Sequence, residues 1–360
     1  MPSWGELLQE LHTDIGPEGP DFDGLRSKYI KRLSEITGRA VIVYGSAWLQ
    51  RAGQADPNHL VQPADVHALM ECCHQVPERE LDLILHSPGG SGTAAEQMIN
   101  YLRTQFAYIR AIVPLQAKSA ATMLALGCDE ILMGNHSELG PIDPQIQVPV
   151  PGGARFAPAT AILRDFDRAR SEISANIKAL PAWTPILHSY AGGLIEICKQ
   201  QIRFSQDVVA GWLQRYMLSQ EDIGISEGER ATVANEIAEY FGSEQSYDRF
   251  REHGRPIRIE QLSDLRGIRV RRLEDDDQLQ DAVLSVYHAF DLTVNSRPVS
   301  KIVENHRNKR YLKISAQVII QTSSPPGQTR PPGGTAPNPP IQRLPHRSNQ
   351  PPRSERRKKR

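Results

Sequence analysis

Residues 81–145 read LDLILHSPGGSGTAAEQMINYLRTQFAYIRAIVPLQAKSAATMLALGCDEILMGNHSELGPIDPQ. Short apolar runs alternate here with helical patterns. Residues 81–85 predict a buried strand ending in a Pro-Gly-Gly turn, 109–114 a second strand, 120–126 an apolar helix opened by Ser119, and 130–133 a third strand. A loop dominated by turn formers follows at 134–144.

Two junctions in this stretch can carry chemistry. In His86-Ser-Pro-Gly-Gly90, Pro88 fixes its own φ while Gly89 and Gly90 permit backbone geometries closed to other residues. Consecutive glycine N–H groups can then point outward, as an oxyanion hole requires of donors waiting about 3 Å from a developing charge. A plain strand-to-helix turn is the other reading of the same residues. In Ala117-Lys-Ser-Ala-Ala-Thr122, Ser119 sits at a helix start, where unpaired N–H groups and the helix dipole favour negative charge. That position suits a nucleophile and an N-cap alike. Lys118 points about 100° away from its neighbour on a helix and is a poor base for it. The spacing links the two junctions: with one helix and one strand between them, both fall at the same C-terminal edge of neighbouring parallel strands, where open α/β sheets build their sites.

With these blocks the chain resembles the ClpP/crotonase superfamily, its signal peptide peptidase A branch, and more closely the SDH-type family of Clp-fold serine proteinases. HSPGG, AKSAATMLALGCDEI and LGPIDPQ are the matching blocks, in the family's order, and HGRPI at 253–257 with the short strand after it is a further one. The resemblance implies that Gly89 and Gly90 form the oxyanion hole and that Ser119 is the nucleophile. Many relatives carry glycines after the serine, whereas this chain has Ala120 and Ala121, small residues that retain a Cβ. In relatives of signal peptide peptidase character a lysine from a downstream helix is the general base, its pKa lowered by burial and nearby positive charge. Lys178 and Lys199 are the candidates; Lys199, in an apolar helical run at 194–204, is preferred. ClpP-type enzymes bring a histidine from the loop after the third strand. The comparable place here lies nearer Asp143 than His136, so Asp143 reads as an orienter or substrate contact, or as a turn residue. His253 is a third candidate base with a suitable intrinsic pKa, or a structural histidine.

Outward from this core, 360 residues accommodate one large α/β domain with appendages. Lys plus Arg equals Asp plus Glu at 42 each, so net charge selects no partner. The charges are unevenly placed, because 322–360 is Pro-rich and strongly basic while the body is acidic. The segment therefore predicts a disordered tail able to make weak contacts with nucleic acid or anionic lipid. Four cysteines without CxxC spacing argue for reduced thiols and against a disulfide framework or a zinc site. No signal peptide and no apolar run of about 18 residues is visible, which predicts a cytoplasmic protein without a membrane span.

Before the core, helices are expected at 7–12 and 25–37, a strand at 39–45 and a helix at 63–76; after it, a loop at 149–154, mostly helix over 159–217, and helices at 227–241, 246–251 and 278–292. The expected organisation is an N-terminal extension (1–24), a ClpP/crotonase-like α/β domain of repeated ββα and βαβ units with additional C-terminal helices (25–295), a C-terminal extension (296–321) and the tail. The expected activity is that of a serine peptidase acting on protein or peptide, needing no cofactor or metal and assembled as a homo-oligomer. A crotonase-type acyl-CoA enzyme and a non-catalytic scaffold are the rival readings.

Overall fold

The computed structural model describes residues 3–13, 15–16, 19–53, 56–150, 153–190 and 192–315. In chain order its elements are α1 (Trp4–Thr13), β1 (Ile15–Gly16), β2 (Gly19–Pro20), α2 (Phe22–Thr37), β3 (Ala40–Ser46), α3 (Asp65–Cys73), β4 (Glu80–His86), α4 (Gly92–Gln105), β5 (Tyr108–Val113), β6 (Gln116–Ala117), α5 (Ala120–Leu126), β7 (Glu130–Met133) and β8 (Glu138–Leu139). A hairpin of β9 (Gln145–Val150) and β10 (Gly153–Pro158) leads into α6 (Ala159–Ala175), α7 (Leu180–His188), α8 (Leu194–Arg215), α9 (Glu227–Gly242), α10 (Glu244–Phe250) and α11 (Ile259–Ser263). The chain closes with β11 (Val270–Arg272), α12 (Asp277–Ser296), β12 (Val299–Asn305) and β13 (Arg310–Ile314).

Local signals set several of these boundaries. Asp21 caps α2 by accepting from the Gly24 amide, and Gly38, at φ 68°, ends it by donating to the Ser34 carbonyl. Ser91 caps α4 in the same way through the Ala94 amide. β3 and β5 are apolar nearly throughout because helices cover the sheet on both faces, the usual state of a parallel sheet.

The main sheet has seven strands in the order β11-β7-β5-β4-β3-β12-β13. The first five run parallel, β12 pairs antiparallel with β3, and β13 antiparallel with β12. Side chains on one face, among them Ile42, Leu83 and Ala111, join a large core with α3, α4, α5, α8 and α9. Those on the other, among them Val41, Ile84 and Ile112, pack under α1, α2 and α12. This is the mixed α/β, ClpP-like arrangement that the sequence resemblance implies.

Two segments differ from their sequence reading. Residues 149–150 and 153–154, read as parts of a loop, belong to the paired strands β9 and β10. Residues 299–314, read as an extension beyond the domain, supply two strands of its main sheet. The sequence VSKIVEN conceals an interior strand because Lys301 and Glu304 interrupt its apolar pattern, yet both are fully buried, paired with Asp65 and Arg26 respectively. The described residues, up to Ser315, form one compact unit. The basic Pro-rich segment at 322–360 lies outside the described residues. Among the described residues no helix is long and apolar enough to cross a membrane, and all four cysteines are buried and unpaired.

Candidate active site

Beyond the C-terminal end of β4, short pairings stitch several loops side by side. Val61 bridges Gly90, Ser87 bridges Ala117, β6 pairs with β8, and Leu139 bridges Ile257 in antiparallel sense. Each rung positions one part of the site. Val61 donates to the Gly89 carbonyl at 2.8 Å and accepts from the Ser91 amide at 2.9 Å, holding the Pro-Gly-Gly turn from one side. From the other side, the Ser87 carbonyl accepts from the Lys118 amide at 3.0 Å.

Glycine is required at both turn positions. Gly89 has φ 93°, and a Cβ there would stand 2.5 Å from the Lys118 carbonyl oxygen and 2.7 Å from the Ser119 Cβ. A Cβ on Gly90, at φ 151°, would lie 2.5 Å from both the amide nitrogen and the carbonyl oxygen of Val61. The Gly89 amide donates to Ser87 Oγ at 3.2 Å. Among the described residues, the Gly90 and Ala120 amides donate to no protein group.

Ser119 adopts φ 50° and ψ −120°, a region that a non-glycine residue occupies at a cost of order 1–3 kcal/mol and only when its surroundings enforce it. They do. Thr122 Oγ1 donates to the Ala117 carbonyl at 2.8 Å and accepts from the Gly140 amide at 3.0 Å, clamping the turn to the following loop. The buried Lys118 ammonium donates to Glu138 at 2.9 Å and to the Leu139 carbonyl at 3.1 Å. Ser119 occupies the N-cap position of α5, yet its side chain makes no capping hydrogen bond.

The rung between Leu139 and Ile257, bonded in both directions at 2.9 and 3.0 Å, aligns the segments that carry Asp143 and His253. Asp143 stands four residues after Leu139 and His253 four before Ile257, so the antiparallel register sets them opposite each other. Asp143 Oδ1 lies 2.7 Å from His253 Nδ1. The carboxylate is buried, its other oxygen accepting from Gln145 Nε2 at 2.8 Å. His253 is partly exposed and lines a cavity of about 630 Å³ together with Ser119, Gly90 and Ala120. With Nδ1 donating to Asp143, Nε2 is left to accept a proton. The rest of the wall is largely apolar, with Met123, Ile142, Phe156 and Phe204 prominent, and His253 is the sole titratable side chain in it among the described residues.

The structure thus brings Ser119, Gly90, His253 and Asp143 together, with Gly89 directly behind the serine. Lys199 stands elsewhere. Helix α8 presents Gln201, Phe204 and Ser205 to the cavity, and Lys199, two residues before Gln201 and so about 200° round the helix, is solvent-exposed. Lys178 is exposed in a turn between α6 and α7. His136 bonds the Pro114 carbonyl at 2.9 Å, and His86 is buried among Trp48, Tyr287 and Phe290. Sequence reasoning missed the pairing of Asp143 with His253 and the cavity walls supplied by the β9–β10 hairpin and α8. The LGPIDPQ and HGRPI blocks were the available signal, but nothing local in either says that they pair.

Residues 60–176 match the family model of the ClpP-like SDH-type serine proteinases, and over that stretch the resemblance read from the sequence is shown. Two uncharacterised proteins of Methanocaldococcus jannaschii are similar in sequence. MJ0137 is 44% identical over 75 residues, covering 21% of this chain and 26% of that protein. MJ1495 is 33% identical over 111 residues, covering 31% and 35%. The chain therefore spans between a quarter and about a third of the length of these relatives. Among solved structures, a mutant of the 1510-N membrane-bound stomatin-specific protease aligns over 62% of this chain and 79% of that one, at 16% identity and a TM-score of 0.34. An enoyl-CoA hydratase from Mycobacterium avium subsp. paratuberculosis aligns over 49% and 85%, at 14% identity and a TM-score of 0.20.

Proposed function

We propose that the protein is a serine peptidase in which Ser119 is the nucleophile, His253 the general base and Asp143 its orienter. The observation that carries this reading is the 2.7 Å contact between Asp143 and His253, opening onto the same cavity as an uncapped serine in a strained turn. Ser119 Oγ attacks the scissile carbonyl while His253 Nε2 takes its proton, and Asp143 stabilises the imidazolium and fixes its orientation. The Gly90 and Ala120 amides, at the start of α5, receive the oxyanion, with Gly89 allowing the turn to approach the serine. His253 then protonates the leaving amine, and a water deprotonated by the same histidine releases the acyl group. The apolar wall suits a peptide presenting an apolar side chain.

This assignment moves the base from Lys199 to His253, because Lys199 is solvent-exposed and stands outside the cavity that Ser119 lines. A crotonase-type reaction would leave the strained Ser119 and the Asp143–His253 pair without a task. A homo-oligomer enclosing the site is part of the reading; exposed Phe156, Ile177, Leu180, Ile186 and Ile197 offer the apolar surface it would bury. The unpaired thiols fit a reducing cytoplasm.

Labelling with a serine-directed fluorophosphonate tests the proposal. Ser119→Ala should abolish labelling, His253→Ala should slow it by about 100-fold or more, and Lys199→Ala should leave it unchanged. Normal labelling of folded His253→Ala, or its loss in Lys199→Ala, would overturn the assignment of the base.

A further inference from the structure

A fully buried ion pair lies directly behind the Pro-Gly-Gly turn. Lys301 and Asp65 are both completely inaccessible, with 2.6 Å between Nζ and Oδ2. Lys301 also donates to Tyr44 Oη at 3.0 Å and to the Leu60 carbonyl at 2.7 Å. Asp65 Oδ2 further accepts from Tyr44 Oη at 2.6 Å and from the Gln62 amide at 2.9 Å. Its Oδ1 accepts from Lys313 Nζ at 2.6 Å, and Lys313 reaches the Gln62 side-chain carbonyl at 3.2 Å.

The pattern of these bonds is selective. They grip Leu60 and Gln62 and leave the residue between them, Val61, to spend its own amide and carbonyl on Gly89 and Ser91. The Gly89–Gly90 turn is thereby pressed between Val61, which abuts Gly90, and the Ser119 turn, which abuts Gly89. A stability role gives no sufficient reason for the pair, because replacing a buried ion pair with apolar residues is often neutral or stabilising. What an apolar substitute would not supply is direction: a donor for the Leu60 carbonyl and an acceptor for the Gln62 amide, fixed relative to one another.

We propose that the buried Lys301–Asp65 pair, supported by Tyr44 and Lys313, positions the Gly90 amide for the reaction at Ser119 by holding Leu60–Gln62 against the Pro-Gly-Gly turn. The proposal rests on the serine-peptidase reading above. It makes β12 and β13, far from Ser119 in sequence, part of the apparatus that shapes the oxyanion site. Lys301 and Asp65 touch no substrate; they act through Val61.

A pH signature accompanies this geometry. Burial pushes the Lys301 ammonium down to about 8. The titratable groups around it are Asp65 on α3, Tyr44 on β3, Lys313 on β13, and Asp56 and His59 in the segment before Leu60. Loss of its proton above about pH 8 removes one donor from the grip on Leu60 and Asp65, so the turn loosens as pH rises.

The test uses the full-length chain with Lys301→Met, the charge-neutral double variant Lys301→Met/Asp65→Asn, and Arg103→Met as a control that breaks a buried ion pair remote from the cavity. Hydrolysis of a p-nitrophenyl ester is normalised to the fraction of sites titrated by fluorophosphonate, which removes any loss due to misfolding. Both Lys301 variants should show kcat per titrated site lowered about tenfold or more with KM nearly unchanged, and should lack the wild-type decline in activity above pH 8. Arg103→Met should keep kcat per site. Hydrogen exchange supplies a readout independent of catalysis: residues 86–92 should exchange about tenfold faster in the Lys301 variants while β5 keeps its protection. Unchanged exchange at 86–92 overturns the proposal, as does exchange raised uniformly across the sheet with kcat per site preserved. A wild type that neither labels nor hydrolyses would sink the peptidase reading, whereas the exchange result would still decide whether Lys301 and Asp65 hold the turn.

Discussion

Ser119 shows how much a single residue's backbone can reveal. At φ 50° with an uncapped hydroxyl, it lacks the ordinary reason for a serine at a helix start, and its strain is held by contacts that come from the loop beyond the next strand. His86, a few residues before the Pro-Gly-Gly turn, shows the opposite case of a suggestive residue with a structural task. It is enclosed by aromatic rings, and burial pushes its pKa down to about 4 from an ordinary value of 6.5. Between those values the unfolded chain binds a proton that the folded chain refuses, so stability falls as pH drops from about 6.5 toward 4 and levels off below. The penalty amounts to roughly 3 kcal/mol. In urea titrations at a series of pH values, His86→Phe should flatten this acid limb and leave stability above pH 7 little affected; an unchanged limb would remove His86 as its source. Gly89, Gly90 and Ser119 are legible from sequence because a glycine pair after a strand and a serine at a helix start are local signals, although distant contacts hold their conformations. The role of His86 is not, because burial is decided by Tyr287 and Phe290, some two hundred residues away.

At the scale of elements, the site depends on short rungs more than on long strands. Thr122 is the tie between α5 and the loop after β8, bonded at once to the Ala117 carbonyl and the Gly140 amide. Thr122→Val keeps the shape and removes both bonds, leaving the Gly140 amide buried without an acceptor. The expected cost is about 1–3 kcal/mol, seen as a lower urea midpoint, and fluorophosphonate labelling of the folded protein should slow about tenfold as the Ser119 turn relaxes. Labelling at the wild-type rate would show that the turn holds without this tie. Helix α8 explains why a lysine base looked attractive from sequence alone. Its run of apolar residues correctly signals packing, but the packed face is set by Cys198, Gln201 and Ser205, and Lys199 falls outside it.

For the molecule as a whole, β12 and β13 finish the sheet and neutralise charges buried elsewhere. Glu304 pairs with Arg26 at 2.7 Å, both nearly inaccessible, and Lys301 pairs with Asp65. A chain ending at Ser296 would leave Arg26 and Asp65 buried without these partners and β3 exposed as an edge, each a severe liability. It should therefore be insoluble or lack a cooperative unfolding transition by circular dichroism. A soluble, cooperatively folding product would show that the domain is complete without the last two strands.

The sequence by itself determined the alternation of strand and helix from β3 to β7, the Pro-Gly-Gly turn and the serine turn, because hydrophobic period, glycine freedom and helix starts are local properties. Only the tertiary structure decided that Asp143 faces His253, that Lys199 faces solvent and that a strand carrying Lys301 and Glu304 lies inside the sheet, between β3 and β13. The physical reason is that pairing register and burial depend on what lies opposite, and for Asp143 with His253, Lys301 with Asp65 and Glu304 with Arg26 the partners are more than a hundred positions apart.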